Sequence, residues 1–147
     1  DIKRGLLEVE WPARFQVLPG RPVTVLDVAH NPHAARVLRA SLDQMGFFPE
    51  THAVFGMMAD KDIAGVVACL ADRVSVWHVA APQLPRAADP HEVAQMIRQQ
   101  DGQARVYCHA SVADAWREAC KGAGENDRIL AFGSFYTVAE VMAAREA

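Results

Sequence analysis

The sequence lacks the features that mark membrane proteins and nucleic-acid-binding proteins. No apolar run approaches the roughly 20 residues that a membrane-spanning helix needs, and no secretory signal segment is recognisable. The 15 lysine and arginine residues against 18 acidic ones give a net charge of −3, and no basic stripe is present. With 51% hydrophobic and 22% charged residues among 147, the composition is that of an ordinary globular protein. We therefore expect one domain with no membrane and no nucleic-acid partner.

Cysteine is scarce. The chain has only Cys69, Cys108 and Cys120, an odd number of widely spaced residues without a CxxC pair. This spacing suits neither a disulfide framework nor a zinc cage. The sequence therefore predicts reduced thiols and a cytoplasmic location.

Familiar nucleotide-binding and hydrolase motifs are missing as well. There is no GxxxxGK[ST] loop, and the GAG at 122–124 has Asp127 where the third glycine of GxGxxG would stand. Ser134 lacks the GxSxG context of a serine-hydrolase elbow. If this domain binds a nucleotide, it does so by another route or supplies only half of a site.

What is present is a polar cluster at the end of an apolar strand. Residues 23–26 (VTVL) favour a buried strand, and Asp27, His30, Asn31 and Pro32 follow. Asn31 suits a helix N-cap, and Pro32 suits the first helical position. Ligands bind at the carboxyl ends of strands in open α/β sheets, and a helix N-terminus favours anions. A plain strand–turn–helix explains the same residues, so the pattern alone leaves both interpretations open.

Apolar strands alternate with amphipathic helices along the rest of the chain. Strand patterns cover 14–18, 23–27, 51–55, 73–79, 104–108 and 128–132. Helices are predicted to begin behind the capping residues Asn31, Asp60, Asp89, Ser111 and Ser134. This alternation predicts an α/β fold, a Rossmann-like and mostly parallel sheet of about six strands with helices on both faces. The tight turn between the first two strands predicts one antiparallel edge strand.

The histidines offer a weaker signal for a metal site. His30 and His33 stand near Asp27, but a catalytic zinc site needs three convergent protein ligands, and His33 is expected on an exposed helical turn. We therefore predict no metal ligands in this chain. The remaining histidines have no partner that the sequence identifies, and we interpret each as structural or solvent-facing: His52, His78, His91 and His109.

Four motifs occur in series: WPAR at 11–14, LDVAHNP at 26–32, FGMMADKD at 55–62 and FGSFYTVAE at 132–140. Together they closely resemble the C-terminal domain of the bacterial bifunctional folylpolyglutamate synthase/dihydrofolate synthase family, within the Mur ligase superfamily. The resemblance covers essentially the whole chain, 1–147. Two departures, Ala13 in place of a frequent glycine and Val28 in place of a smaller residue, remove no functional side chain.

The resemblance implies an ATP-dependent amide ligase. In that family ATP phosphorylates the carboxylate of dihydropteroate or a folate, the amine of L-glutamate attacks the acyl phosphate, and ADP and phosphate leave. The P-loop and the magnesium ligands would lie in an N-terminal ATPase domain. We expect that domain to be missing from this chain, which begins at Asp1 and reads as part of a longer, cytoplasmic and monomeric protein.

The resemblance also implies roles for four residues. Arg14 and Asp27 match ATP contacts, which suits a guanidinium for phosphate oxygens and a carboxylate for ribose hydroxyls. His30 matches an active-site histidine near the nucleotide and the incoming glutamate, and we predict it to be catalytic. Ser134 matches a position near the glutamate site. Lys61 could offer charge to phosphate, but a lysine at a helix start is more often solvated.

Two other functions stay open at this point. One is the C-terminal domain of a Mur-type ligase that adds an amino acid to a cell-wall precursor. The other is a nucleotide-binding or anion-binding module without catalysis. An upstream GTxGKGS-type loop followed by a pterin-binding segment would favour the folate ligase.

Overall fold

Two strands at the centre of the sheet are buried along their whole length. All five residues of β3 (Thr51–Phe55) and all five of β6 (Arg128–Phe132) are buried. Strands buried on both faces are typical of parallel sheets covered by helices on each side. The computed structural model describes residues 14–147, and in it β3 and β6 pair in parallel.

The described residues form six strands, five α-helices and one short 3₁₀ helix. The outer strands are β1 (Gln16–Leu18), β2 (Val23–Asp27), β4 (Val76–Val79) and β5 (Arg105–Cys108). The helices are α1 (Pro32–Gln44), α2 (Ile63–Leu70), α3 (Pro90–Gln100), α4 (Val112–Gly122) and α5 (Phe135–Glu146). In the order β1-β2-β6-β3-β4-β5, β1 is antiparallel to β2 and the other pairs are parallel. The predicted α/β sheet with one antiparallel edge strand is confirmed.

The sheet separates two apolar cores. Helices α1, α2 and α3 cover one face, where Phe55 packs against Trp77 and Phe132 with ring centroids 5.3 and 4.6 Å apart. Helices α4 and α5 cover the other face, around Val54 and Ile129. Burial of each such side chain stabilises the fold by about 2 kcal/mol. No helix in residues 14–147 is long and apolar enough to cross a membrane.

Four of the five predicted helix caps are confirmed. The side chains of Asn31, Asp89, Ser111 and Ser134 each accept a backbone N–H in the first turn of a helix. The fifth prediction, Asp60 for α2, is wrong, because Asp62 accepts the Gly65 N–H at 3.0 Å and lies directly before the first buried residue, Ile63.

Three predicted strands were too long, and the strand predicted at 104–108 exceeds β5 by one residue, since β5 begins at Arg105. The strand predicted at 73–79 begins at Val76, because Ala71–Arg73 form the 3₁₀ helix and Arg73 donates to the Asp43 carboxylate at 2.7 Å. The strand predicted at 14–18 begins at Gln16, because Phe15 has a positive φ of 50°. Residues 11–13 of the WPAR motif lie outside the described residues.

Candidate ligand site at the carboxyl end of strand β2

Asp27 ends strand β2 and holds two other chain segments through its carboxylate. Oδ2 accepts the Phe15 N–H at 3.0 Å, and Oδ1 accepts the Ala29 N–H at 2.8 Å. Burial raises the pKa of Asp27, although these two N–H groups and the Arg14 charge act in the opposite direction. Each carboxylate oxygen has a second lone pair, so Asp27 can still accept hydrogen bonds from a ligand.

The bond from Phe15 to Asp27 explains the backbone of the turn that carries Arg14. Phe15 has φ 50°, a left-handed conformation that costs a residue with a side chain about 1–2 kcal/mol. The Phe15 side chain packs against the larger core, and its N–H is held by the carboxylate. These contacts place Arg14 on the wall of the same pocket as Asp27.

His30 and Asn31 form the turn into helix α1. Asn31 Oδ1 accepts the Ala34 N–H at 2.8 Å, and Pro32 opens the helix. The exposed His30 ring has Nδ1 3.0 Å from the Val28 carbonyl oxygen. A carbonyl can only accept, so Nδ1 carries the hydrogen. Nε2 is then the ring nitrogen that can accept a hydrogen bond or a proton when the ring is neutral.

Arg14, Asp27 and His30 line one pocket of about 360 Å³. Its apolar wall includes Val28 and Val37, and the Val37 side chain is 56% exposed. The structure therefore brings together three of the four site residues that the sequence predicted. A guanidinium, a carboxylate and a free imidazole nitrogen beside an apolar wall suit a ligand with both phosphate and ring components.

Ser134, the fourth predicted residue, does not line that pocket. It is buried at the carboxyl end of β6, where its Oγ accepts the Thr137 N–H at 3.0 Å as the cap of α5. Thr137 Oγ1 donates its hydrogen to the Gly56 carbonyl at 2.9 Å, so the Ser134 hydroxyl donates to Thr137 Oγ1 at 3.0 Å. The Ser134 hydroxyl therefore has no hydrogen left for a ligand.

The turns after β3 and β6 are packed against each other beside Ser134. Gly133 has φ 116°, and a Cβ there would collide with the Gly56 carbonyl oxygen. A Cβ at Gly56 would collide with the Ala80 carbonyl oxygen. Both turns need glycine, and the Ser134–Thr137–Gly56 network fixes where helix α5 begins.

The sequence missed two contacts between histidines and their partners. His52 Nε2 lies 3.1 Å from Asp127 Oδ2, and His78 Nδ1 lies 2.9 Å from His109 Nε2. Burial, together with the nearby His109 and His52, lowers the pKa of His78 to about 4. Burial also lowers the pKa of His109. The alternation of strand residues places His52 and His78 on one sheet face, but only the strand order brings in His109.

Comparison with known proteins agrees with this architecture. The family model described as "Mur ligase, glutamate ligase domain" matches residues 13–135. The dihydrofolate synthase/folylpolyglutamate synthase of Escherichia coli K12 is 38% identical over 141 residues, which are 96% of this chain and 32% of that protein. The chain therefore spans about a third of the length of this relative.

Solved structures give the same result. E. coli FolC in complex with DHPP and ADP superposes with a TM-score of 0.83 at 37% identity, over 92% of this chain and 32% of that one. A bifunctional folylpolyglutamate synthase/dihydrofolate synthase with Mn, AMPPNP and L-glutamate bound gives a TM-score of 0.78 at 44% identity, with the same coverage.

The parallel sheet with its antiparallel edge strand and the match to the family model agree on the class of domain. The chain belongs to the Mur ligase family, in its glutamate ligase domain.

Proposed function

We propose that this chain is the C-terminal domain of an ATP-dependent ligase that joins L-glutamate to dihydropteroate or a folate. The observation that carries the proposal is the convergence of Arg14, Asp27 and His30 on one pocket at the carboxyl edge of the sheet. The matched relatives are named for this chemistry, and the two solved structures described above hold ADP and AMPPNP. The cell-wall ligase has no comparable support here.

In this proposal the pocket receives ATP from one side. Arg14 binds phosphate oxygens through its planar guanidinium, and Asp27 accepts hydrogen bonds from ribose hydroxyls while it holds Phe15 and Ala29. The apolar wall that includes Val28 packs against the rest of the nucleotide. The P-loop and the magnesium ligands belong to an N-terminal ATPase domain, and magnesium would neutralise phosphate charge there.

His30 acts in the second half of the reaction. The glutamate amine must be uncharged before it attacks the carbonyl carbon of the acyl phosphate. The free Nε2 of His30 accepts the proton that the amine loses, while the bond between Nδ1 and the Val28 carbonyl keeps the ring oriented. The C–N bond then forms, the C–O bond to the phosphate breaks, and the leaving phosphate takes up the second proton that the nitrogen loses.

Ser134 contributes to glutamate binding through the backbone. Its internal hydrogen bonds fix the first turn of α5, whose N-terminus lies at the carboxyl edge of β6, the strand next to β2. Helix N-termini favour anions such as a glutamate carboxylate. The cytoplasmic location and the monomeric state expected from the sequence stay predictions.

The proposal is tested by ADP release with ATP, dihydropteroate and L-glutamate. The 147-residue chain alone should give no turnover above background, whereas the longer protein with an N-terminal ATPase domain should turn over. In the longer protein Arg14→Ala should raise the ATP requirement, and Arg36→Ala, an exposed arginine of α1 outside the pocket, should not.

Three results would contradict the proposal. Turnover by the chain alone would overturn the division into two domains. A longer protein that ligates an amino acid to a cell-wall precursor and not to dihydropteroate would overturn the substrate class. A longer protein that binds ATP and ligates neither would identify a binding module.

A further inference from the structure

A second pocket lies at the amino-terminal edge of the sheet, the edge opposite the first pocket. It has a volume of about 400 Å³ and lies beside the end of α1, and its wall includes Thr51, Ser75 and Arg128. Thr51 and Arg128 are the first residues of the paired strands β3 and β6, whereas Asp27 is the last residue of β2. Because β2, β3 and β6 are parallel, the length of a five-residue strand, roughly 13 Å, separates the two pockets.

Arg128 is a buried cation whose hydrogen bonds go to uncharged groups. The residue is only 5% exposed, and its Nε donates to Thr51 Oγ1 at 2.7 Å while Nη1 donates to the Leu42 carbonyl at 2.9 Å. Its guanidinium carbon lies 4.8 Å from the centre of the Phe48 ring. No carboxylate in residues 14–147 forms an ion pair with it. A buried charge without a counter-charge is costly, and burial lowers the pKa of Arg128.

The two carboxylates nearest to this pocket are already paired. Asp43 accepts two hydrogen bonds from Arg73, at 2.7 and 3.3 Å, and Asp72 accepts two from Arg39, at 2.7 and 3.0 Å. Three guanidinium groups thus face two carboxylates, and the positive charge in excess is that of Arg128. One negative charge would balance the group, whereas a doubly charged anion would be repelled by Asp43 and Asp72.

Two neighbouring groups in this pocket keep hydrogens for a ligand. A guanidinium has five N–H donors, and the two on Arg128 Nη2 have no acceptor in residues 14–147. Nη2 is not among the fully buried polar atoms without a partner, so solvent reaches it through the pocket that Arg128 lines. Ser75 Oγ accepts the Thr51 N–H at 3.0 Å, and its own hydrogen has no acceptor in the described part of the chain. Because Thr51 bonds to both side chains, the two donors lie side by side.

The same pocket has an exposed apolar wall. Phe47 follows Gly46, which leaves α1 with φ 92°, and the Phe47 residue is 88% exposed. A single exposed phenylalanine is ordinary on a protein surface. This one lies in the wall of a pocket that also holds unpaired donors, so a flat apolar group can pack on its ring while an acidic group meets Arg128.

We propose that this second pocket binds a small organic monoanion, a carboxylate joined to a flat apolar group. One carboxylate oxygen accepts from Arg128 Nη2, the other accepts from the Ser75 hydroxyl, and the apolar group packs on Phe47. No covalent bond forms or breaks, and the proposal does not depend on ligase activity. Without such a ligand, Arg128 serves only to hold the end of α1 through the Leu42 carbonyl.

Titration of the isotope-labelled 147-residue chain with benzoate, followed by NMR, tests the proposal. Benzoate should give saturable shifts at the backbone N–H groups of Phe47 and Ser75 and at the Arg128 side chain. Benzamide has nearly the same shape without the charge, and it should bind at least about tenfold more weakly, because hydrogen bonds between charged groups are the stronger ones. Inorganic phosphate, which lacks an apolar group, should also bind more weakly than benzoate. These comparisons use the wild-type chain and need no variant to fold.

A surface variant provides the second measurement. Phe47→Ala should weaken benzoate binding by roughly 2–10-fold through loss of the ring contact. Tyr107→Ala is the matched control, because Tyr107 is an exposed aromatic residue of β5 outside this pocket. Absence of saturable shifts with benzoate would overturn the proposal, and so would equal affinity for benzamide. Phosphate binding as tight as that of benzoate, or unchanged binding by the Phe47→Ala variant, would overturn the class of ligand.

Discussion

Asp27 and Asp127 both hold neighbouring backbone segments through their carboxylates, but they differ in whether the carboxylate can still bind a ligand. Asp27 follows the last apolar residue of β2, and Asp127 directly precedes β6. Each carboxylate accepts two backbone N–H groups from distant or neighbouring segments. Asp127 also receives the His52 ring and is only 7% exposed, whereas Asp27 is half-buried and lines a pocket.

The pKa values of the two carboxyl groups move in opposite directions. Burial dominates at Asp27 and raises its pKa. Burial would raise the pKa of Asp127 too, but the Gly124 N–H, the His52 ring and the Glu50 N–H together lower it. A carboxylate whose surroundings oppose its charge is a candidate for ligand binding, and one whose surroundings satisfy it serves the fold.

Replacing each aspartate by asparagine should have its largest effect on the free energy of unfolding. Asp127→Asn should lower the free energy of unfolding of the chain by about 3 kcal/mol, because a neutral amide cannot accept from two N–H groups and His52 at once. Asp27→Asn should lower it by about 1 kcal/mol, because the neutral side chain also escapes a burial cost. Urea denaturation of both variants measures the difference. Equal losses of unfolding free energy in the two variants would show that Asp27 and Asp127 contribute alike to the fold.

A smaller effect is expected in how the stability losses of the Asp127→Asn and Asp27→Asn variants depend on pH. The pKa of Asp127 lies below its ordinary value of 3.8 in the folded protein, so its stabilisation is present above that value and is lost as the pH falls through the folded pKa. The pKa of Asp27 is raised, so its contribution is fully present below 3.8 and is lost as the pH rises through the folded pKa.

The cost of Asp127→Asn should therefore shrink as the pH is lowered from about 7 to about 3, while the cost of Asp27→Asn should grow. Unfolding free energies of the wild type and both variants across this range give the two slopes. Slopes of the same sign would show that the two sites are electrostatically alike.

The fold was predictable where the signals are local. The pairs Asn31-Pro32 and Asp89-Pro90 predict helix starts, because the first residue can cap the helix and the proline fixes φ. Both helix starts are confirmed. The prediction of Asp60 as the cap of α2 was wrong because both Asp60 and Asp62 precede the apolar stripe of that helix. Only the backbone conformation determines which of the two carboxylates accepts the Gly65 N–H.

The sites were less predictable because they depend on distant pairing. The Phe15 N–H bonds Asp27 across 12 residues of chain, and His78 meets His109 across 31. The hydrophobic periodicity of the sequence does not predict these long-range contacts, because they depend on which strands are neighbours in the sheet. The role of Ser134 depends on the direction of a hydroxyl hydrogen, which only the Thr137 and Gly56 partners determine.

In the proposed function Asp27 serves a nucleotide site, whereas Asp127 serves the fold through its bonds to Glu50, Gly124 and His52. The most direct measurement is kcat/KM for ATP in the longer protein that contains this chain, taken for both Asn variants at a temperature where each is folded. Asp27→Asn should lower kcat/KM by roughly 10–100-fold, the equivalent of about 1.5–3 kcal/mol for hydrogen bonds to a charged group, and Asp127→Asn should leave it within about twofold. Unchanged kinetics for Asp27→Asn, or an equal loss in both variants, would contradict the account.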